Sequence, residues 1–181
     1  MISDPSRVGG LQYIDNTSIL GTVERLSLGG RPVWLVLSLL VIAAVGFAIY
    51  RLRSKLDNIA ILGLAAVPML LISPVTWSHH WTWLPITAYA ALSVALLSAN
   101  TVRNVLLALT AGIVIVLGIS PKDIAELFGI YPDGELPAWF TIITCATAVL
   151  GVALSLTVAW AAATKESNLP KLPRSEAASE G

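Results

Sequence analysis

Apolar residues in this chain come in long uninterrupted runs. No charged residue breaks the run from Val33 to Tyr50 or that from Ala138 to Ala163, and at about 1.5 Å per residue each is long enough to cross roughly 30 Å of hydrocarbon as a helix. Three shorter runs, Asn58 to Ile72, Trp83 to Leu97 and Asn104 to Ser120, have the same character and can lengthen into their flanks. Helices packed among neighbours need not each match the bilayer. Pro68 falls inside one of these runs, where a kink is tolerated because adjacent helices and water re-satisfy the freed carbonyl. The pattern predicts an all-α polytopic membrane bundle of five transmembrane helices, near residues 33–50, 58–72, 83–97, 104–120 and 138–163.

Composition agrees with that pattern. Of 181 residues, 56% are hydrophobic and 12% charged, and the mean hydropathy is +0.79, all far from the norm of soluble domains. The formal net charge is zero, so the lipid bilayer is an expected partner and nucleic acid is not. Charges gather in the loops. Arg51, Arg53 and Lys55 follow the first run, Arg103 the third, and Lys165, Lys171 and Arg174 the fifth, while the intervening loops carry only Lys122. The positive-inside bias puts the first set in the cytoplasm. Arg7, Arg25 and Arg31 fall on the other side in this scheme, balanced by Asp4, Asp15 and Glu24. The expected organisation is an extracytoplasmic amphipathic segment at 1–32, a transmembrane bundle at 33–163 and a disordered cytoplasmic tail at 164–181 of a plasma-membrane protein. The opening MISDPSRVGG has neither a basic n-region nor an apolar h-region, and the expectation is that the chain is the C-terminal portion of a longer polytopic protein. Cys145 is the single cysteine and lies in an apolar run. An intrachain disulfide and a cysteine metal cluster are thereby excluded.

Outside the runs, Ile19, Leu20, Val23 and Leu26 recur at helical spacing after the N-capping residues Asn16, Thr17 and Ser18, and Gly29 and Gly30 supply a stop. The segment reads as a short amphipathic helix on the membrane surface, or as one whose polar N-terminus, with Arg25, meets an anionic headgroup. Asn16-Thr17-Ser18 also fits the short N-glycosylation pattern. Ser120, Pro121 and Asp123 are spaced as an N-cap, a first-position proline and a capping acid, which predicts a two-turn helix ending at Gly129. Ile124, Leu127 and Phe128 would face the membrane or the bundle, and Tyr131 to Gly134 reads as a turn. Asp123, Glu126, Asp133 and Glu135 are candidates for a catalytic carboxylate, although capping, solvation and turn chemistry account for all four.

SPVTWSHHWTW, residues 73–83, holds the two histidines of the chain, His79 and His80, among Trp77, Trp81 and Trp83. Three readings compete for it. An interfacial belt of tryptophans suits half-apolar histidines. Metal or haem ligation suits them poorly, because adjacent histidines on a helix point about 100° apart and no Cys, Asp or Glu lies near in sequence. The third reading is a site, since an imidazole at the mouth of a bundle can bind a phosphate oxygen or handle a proton near neutral pH.

Resemblance favours the third. SPVTWSHHWTWLP resembles the Ser-Pro-x-x-Trp-x-His-His-Trp motif of the actinobacterial polyprenol-phosphate-mannose-dependent alpha-mannosyltransferases, integral-membrane enzymes of the GT-C class. DPSRVGGLQYIDNTSILGTVERL resembles the segment in which those enzymes carry an Asn-Gln-Ser motif followed by a glycine and an arginine, here Asn16, Ser18, Gly21 and Arg25, with Thr17 in place of the glutamine. The likeness continues, with less specific residues, to about Ala163. It implies transfer of mannose from polyprenyl phosphate mannose to a lipid-linked glycan such as a phosphatidylinositol mannoside on the outer membrane face. No metal or other cofactor is implied. His79 and His80 would be the catalytic residues, contacting the donor phosphate or handling a proton, and Asn16, Ser18, Arg25, Trp77 and Trp81 the substrate-binding ones.

Enzymes of this class typically take their base from an acidic residue in the first outer loop, which the resemblance places ahead of these residues. Two function classes follow: a glycosyltransferase, active alone or with a separate N-terminal half as partner, and an inactive remnant or scaffold that keeps the fold.

Overall fold

The computed structural model describes residues 10–130 and 136–164, and among them every regular element is a helix. The turn expected at Tyr131 to Gly134, with Asp133 and Glu135, lies outside the described residues, as do the first nine residues and the tail from Lys165. The helices are α1 (Ile19–Arg25), α2 (Gly30–Leu52), α3 (Asn58–Ile72), α4 (Leu84–Leu96), α5 (Asn100–Ile119), α6 (Pro121–Phe128) and α7 (Ala138–Thr164), with a 3-10 helix at Ser78–Trp83.

Three helices, α2, α5 and α7, are long and apolar enough to cross a membrane. The expected five therefore stand at three by length, because α3 has 15 residues and α4 has 13. At 1.5 Å per residue, α3 is only about 22 Å long. Its end is set locally: Ser73 precedes Pro74 and leaves the helical region, with ψ 133°, as a residue before proline tends to do. The chain then runs extended into the 3-10 helix, so α3 and α4 form a short hairpin with SPVTWSHHWTW at its tip.

α7 is the centre of the bundle and packs against α2, α5, α3 and α4. Ala148, Gly151, Ser155, Ala161 and Ala162 are buried along it, and such small residues let helices approach closely where lipid offers no competing hydrophobic drive. Its buried hydroxyls turn back on the helix, as in Ser155 Oγ to Gly151 O at 2.9 Å and Thr157 Oγ1 to Ala153 O at 2.8 Å. In the α3–α4 hairpin a Cβ on Gly63 would collide with the backbone carbonyl of Ile86, so glycine is what permits that approach. Leu35, Val36, Leu39, Ile42, Ile115 and Ile142 are exposed, giving the long helices apolar outer faces as well as apolar inner ones, the pattern of a bundle solvated by lipid.

Two smaller elements depart from, or agree with, the sequence pattern. Ile19, Leu20, Gly21, Thr22 and Val23 of α1 are all buried, and α1 packs on α2, α7 and α3. It is a piece of the bundle, where the apolar spacing alone suggested a helix lying on a membrane surface. The expected two-turn helix is α6. Ser120 Oγ accepts from Lys122 N–H at 3.3 Å, and Gly129 closes the helix in the left-handed conformation at φ 63°. Ala125 packs inward with Ile14 and Phe140 in a second small core, while Leu127 and Phe128 point outward, 79% and 63% exposed.

Candidate functional site

The two sequence motifs, far apart in the chain, form one hydrogen-bonded unit. Asn16 Nδ2 donates to Leu11 O at 2.9 Å and to Pro74 O at 3.2 Å, and its Oδ1 accepts from Ser18 N–H at 3.2 Å and Thr76 N–H at 3.0 Å. Every hydrogen-bonding position of the carboxamide is thereby used. Thr17 N–H and Thr17 Oγ1 both donate to Thr76 O, at 2.7 and 2.8 Å. Ser18 Oγ donates to Pro74 O at 3.1 Å and caps α1 by accepting from Gly21 N–H at 3.0 Å. Gly21 is obligatory here, because a Cβ would stand 2.7 Å from the Asn16 side chain. Asn16 is 1% exposed and its amide nitrogen is committed, so the N-glycosylation pattern has no accessible acceptor.

Arg25 continues the unit into α7. Its guanidinium donates to Tyr13 O, Asn16 O and Thr144 O, each at 2.9 Å, so three backbone dipoles from two segments surround one cation. Burial pushes its pKa down from the ordinary arginine value, with neighbouring Cys145 acting in the opposite sense. Arginine nonetheless stays protonated in proteins. In this geometry Arg25 clamps the N-terminal segment to α7.

Beyond this unit lies the histidine loop. Trp81 is 4% exposed and its indole N–H donates to Thr17 Oγ1 at 3.0 Å. Trp77 is half-buried and both histidines are exposed. His80 Nδ1 accepts from Trp77 N–H at 3.2 Å, which leaves Nε2 as the nitrogen free to meet a ligand and the one that carries the proton of a neutral ring. The rings form a row: Tyr13 to Trp77 at 5.2 Å, Trp77 to His79 at 6.2 Å and 20° between planes, and His79 to His80 at 4.5 Å. His79, His80, Thr76 and Ser73 line a cleft of about 330 Å³ together with the apolar Met69, Leu70 and Trp83. Among the described residues no acid lines it.

Two residues that sequence reasoning counted only as loop charges stand at the same end. The Asp15 carboxylate is fully buried and neither oxygen has a hydrogen-bond partner among the described residues. Lys122 Nζ sits 3.6 Å from Asp15 Oδ2, and 5.8 and 5.7 Å from the ring centres of Tyr13 and Trp77. Lys122 thus joins the N-terminal motif, the histidine loop and α6. One signal was available, in that Lys122 is the single base of a loop otherwise acidic. A second cleft, of about 610 Å³, opens beside it between Tyr13 and α6. Among the described residues no three of His, Cys, Asp and Glu gather closely enough to hold a metal ion.

Comparison with known proteins returns the family that the motifs resemble. The sequence model of Glycosyltransferase family 87 matches residues 1–74, a stretch that ends inside SPVTWSHHWTW, ahead of the histidines. The chain is 38% identical over 116 residues to a polyprenol-phosphate-mannose-dependent alpha-(1-2)-phosphatidylinositol mannoside mannosyltransferase of Mycobacterium tuberculosis, covering 60% of this chain and 26% of that protein. It is 29% identical over 102 residues to the protein of the same description from Mycolicibacterium smegmatis, covering 50% of this chain and 23% of that protein. The chain therefore spans about a quarter of the length of the curated relatives it matches. No solved structure matches. The resemblance carried by the two motifs and the independent comparisons agree on one family, glycosyltransferase family 87, matched over residues 1–74.

Proposed function

We propose that this chain forms the donor-binding part of a mannosyltransferase that uses polyprenyl phosphate mannose, with its histidine end on the outer face of the plasma membrane and a phosphatidylinositol mannoside or similar glycolipid as acceptor. The observation that carries the reading is the histidine cleft, which combines imidazoles, hydroxyls and apolar side chains and among the described residues has no acid in its lining. An isoprenoid tail suits the apolar Met69, Leu70 and Trp83, and its phosphate suits the imidazoles. In transfer, an acceptor hydroxyl oxygen bonds to the anomeric carbon, the bond from that carbon to the phosphate oxygen breaks, and the hydroxyl proton passes to a base. Charge grows on the departing phosphate, and donors already aimed at it stabilise that charge without reorganisation. His80 Nε2–H and the His79 ring fill this role. Trp77, stacked on His79, offers a face to the sugar. Asn16, Ser18, Arg25 and Trp81 act by position, since their polar groups hold residues 74–76 and the loop in place.

His79 makes no hydrogen bond among the described residues, so His79→Ala removes a ligand group without removing a structural bond. Labelled mannose transfer to membrane glycolipids, measured in membranes of a host lacking such enzymes, is expected to fall roughly hundredfold in this variant at unchanged membrane expression. A parallel loss of expression would assign the histidine to packing. Absence of transfer by the unaltered chain, together with absence of polyprenyl phosphate binding, would favour the scaffold reading.

A further inference from the structure

We propose that the second cleft, between the N-terminal segment and α6, is a subsite for a neutral, hydroxyl-rich saccharide, the acceptor glycan; this rests on the mannosyltransferase reading and deepens it. Tyr13, Lys122, Asp123 and Glu126 supply its side-chain chemistry, and the chain at Gly129 and Ile130 closes one wall. Its volume of about 610 Å³ lies within the range of small-ligand sites.

Charge separates this cleft from the histidine cleft. Asp123 and Glu126 outnumber Lys122 in its lining, so a phosphate would meet like charge, whereas a carboxylate accepts a sugar hydroxyl in a charge-assisted hydrogen bond. The histidine cleft has the converse lining, with imidazoles and, among the described residues, no acid. An uncharged glycan and an anionic lipid carrier are thereby sorted to two places.

A buried group outside the lining supports the assignment. Asp15, fully buried and with neither oxygen hydrogen-bonded among the described residues, holds the Lys122 ammonium at 3.6 Å. The lysine is thereby pinned at the cleft while its side chain stays 48% exposed, a fixed donor for a hydroxyl. Tyr13 adds an aromatic ring to the same lining.

The two clefts are also adjacent. Tyr13 lines one and His79 the other, and only the Trp77 ring stands between them in the row. A glycan seated against Tyr13 can extend a hydroxyl past Trp77 toward the sugar held at His79.

The test uses the full chain in lipid nanodiscs with two probes, a neutral alpha-(1-2)-linked mannotriose and a short-chain polyprenyl phosphate, their binding followed by ligand-observed NMR. The variants are Asp123→Asn with Glu126→Gln, Glu126→Trp to fill the cleft, and His79→Ala. Asp123 and Glu126 are exposed, so folding is not at issue. Mannotriose affinity is expected to fall about tenfold or more, the scale of one or two charge-assisted hydrogen bonds, in both α6 variants and to hold in His79→Ala. Polyprenyl phosphate should show the reverse pattern. Mannotriose binding that survives both α6 variants, or that is lost only in His79→Ala, overturns the subsite. Polyprenyl phosphate binding without any mannotriose binding overturns the subsite and leaves the donor reading standing, while failure of both probes overturns both.

Discussion

The carboxamide of Asn16 spends both donors and both acceptor positions inside the protein, two of them on residues 74 and 76. Asn16→Asp keeps the shape and inverts half the chemistry, setting a carboxylate oxygen against the carbonyls of Leu11 and Pro74. A loss of about 3 kcal/mol is expected, the scale of a buried polar group left facing its own kind. Thermal unfolding of the detergent-solubilised protein would measure it, and an unchanged Tm would mean that the knot contributes nothing. Gly21 belongs to the same residue-scale logic. Its hydrogen occupies the space a methyl would need against Asn16, so the asparagine and the glycine five positions on are two halves of one contact. The sequence displayed both residues in a motif but not their mutual dependence, because helical spacing says nothing about a side chain folding back on its own cap.

At the scale of elements, the α3–α4 hairpin carries the histidines at its tip, and two contacts fix its geometry. Gly63 lets the helices touch at the waist. Asp57 closes the base, capping α3 through Ala60 N–H at 2.7 Å and accepting from the Tyr89 hydroxyl of α4. The Tyr89 bond first and the Ala60 bond next hold the Asp57 carboxyl below the usual carboxylate range. A carboxyl with a lowered folded-state pKa contributes stability that is complete above its unfolded pKa and lost as pH falls through the folded one. Acidification below the ordinary carboxylate range should therefore lower the Tm of the native chain by more than that of Asp57→Asn. The contribution is small because the group is exposed, and matching pH profiles for the two proteins would remove Asp57 from the account. Hairpin length was the least legible feature in the sequence. Hydropathy marks where a chain is apolar, but whether a run is a full crossing or half of a short hairpin depends on where Ser73-Pro74 breaks the helix. α6 was legible throughout, since Ser120, Pro121 and Gly129 act through local backbone rules.

The whole molecule is polarised. One end gathers Asn16, Arg25, the histidine loop and Lys122, and the other carries Arg51, Arg53, Lys55 and the Asp57–Tyr89 contact. Cysteines placed at Gln12 and Lys55, both exposed, report which end faces out, and Cys145, 4% exposed, adds little background. With a membrane-impermeant maleimide on intact cells, Gln12→Cys should label directly and Lys55→Cys only after permeabilisation. The opposite result would put the histidine end in the cytoplasm and remove the outer-face reaction. Fold class was legible in the apolar runs, and the motif singled out the two histidines that line the cleft. The Asp15–Lys122 pair was not, because pairing across so many residues leaves no periodic trace. The bond from Arg25 to Thr144, 119 residues on, adds a consequence in time. Synthesis runs from the N-terminus, so the guanidinium is made long before the third carbonyl that satisfies it. The N-terminal motif must wait, incomplete, until α7 emerges and docks. Maturation of the site thus follows the synthesis of α7, and a polypeptide halted before Thr144 would display a cation short of one of its three carbonyls for quality-control proteases to find.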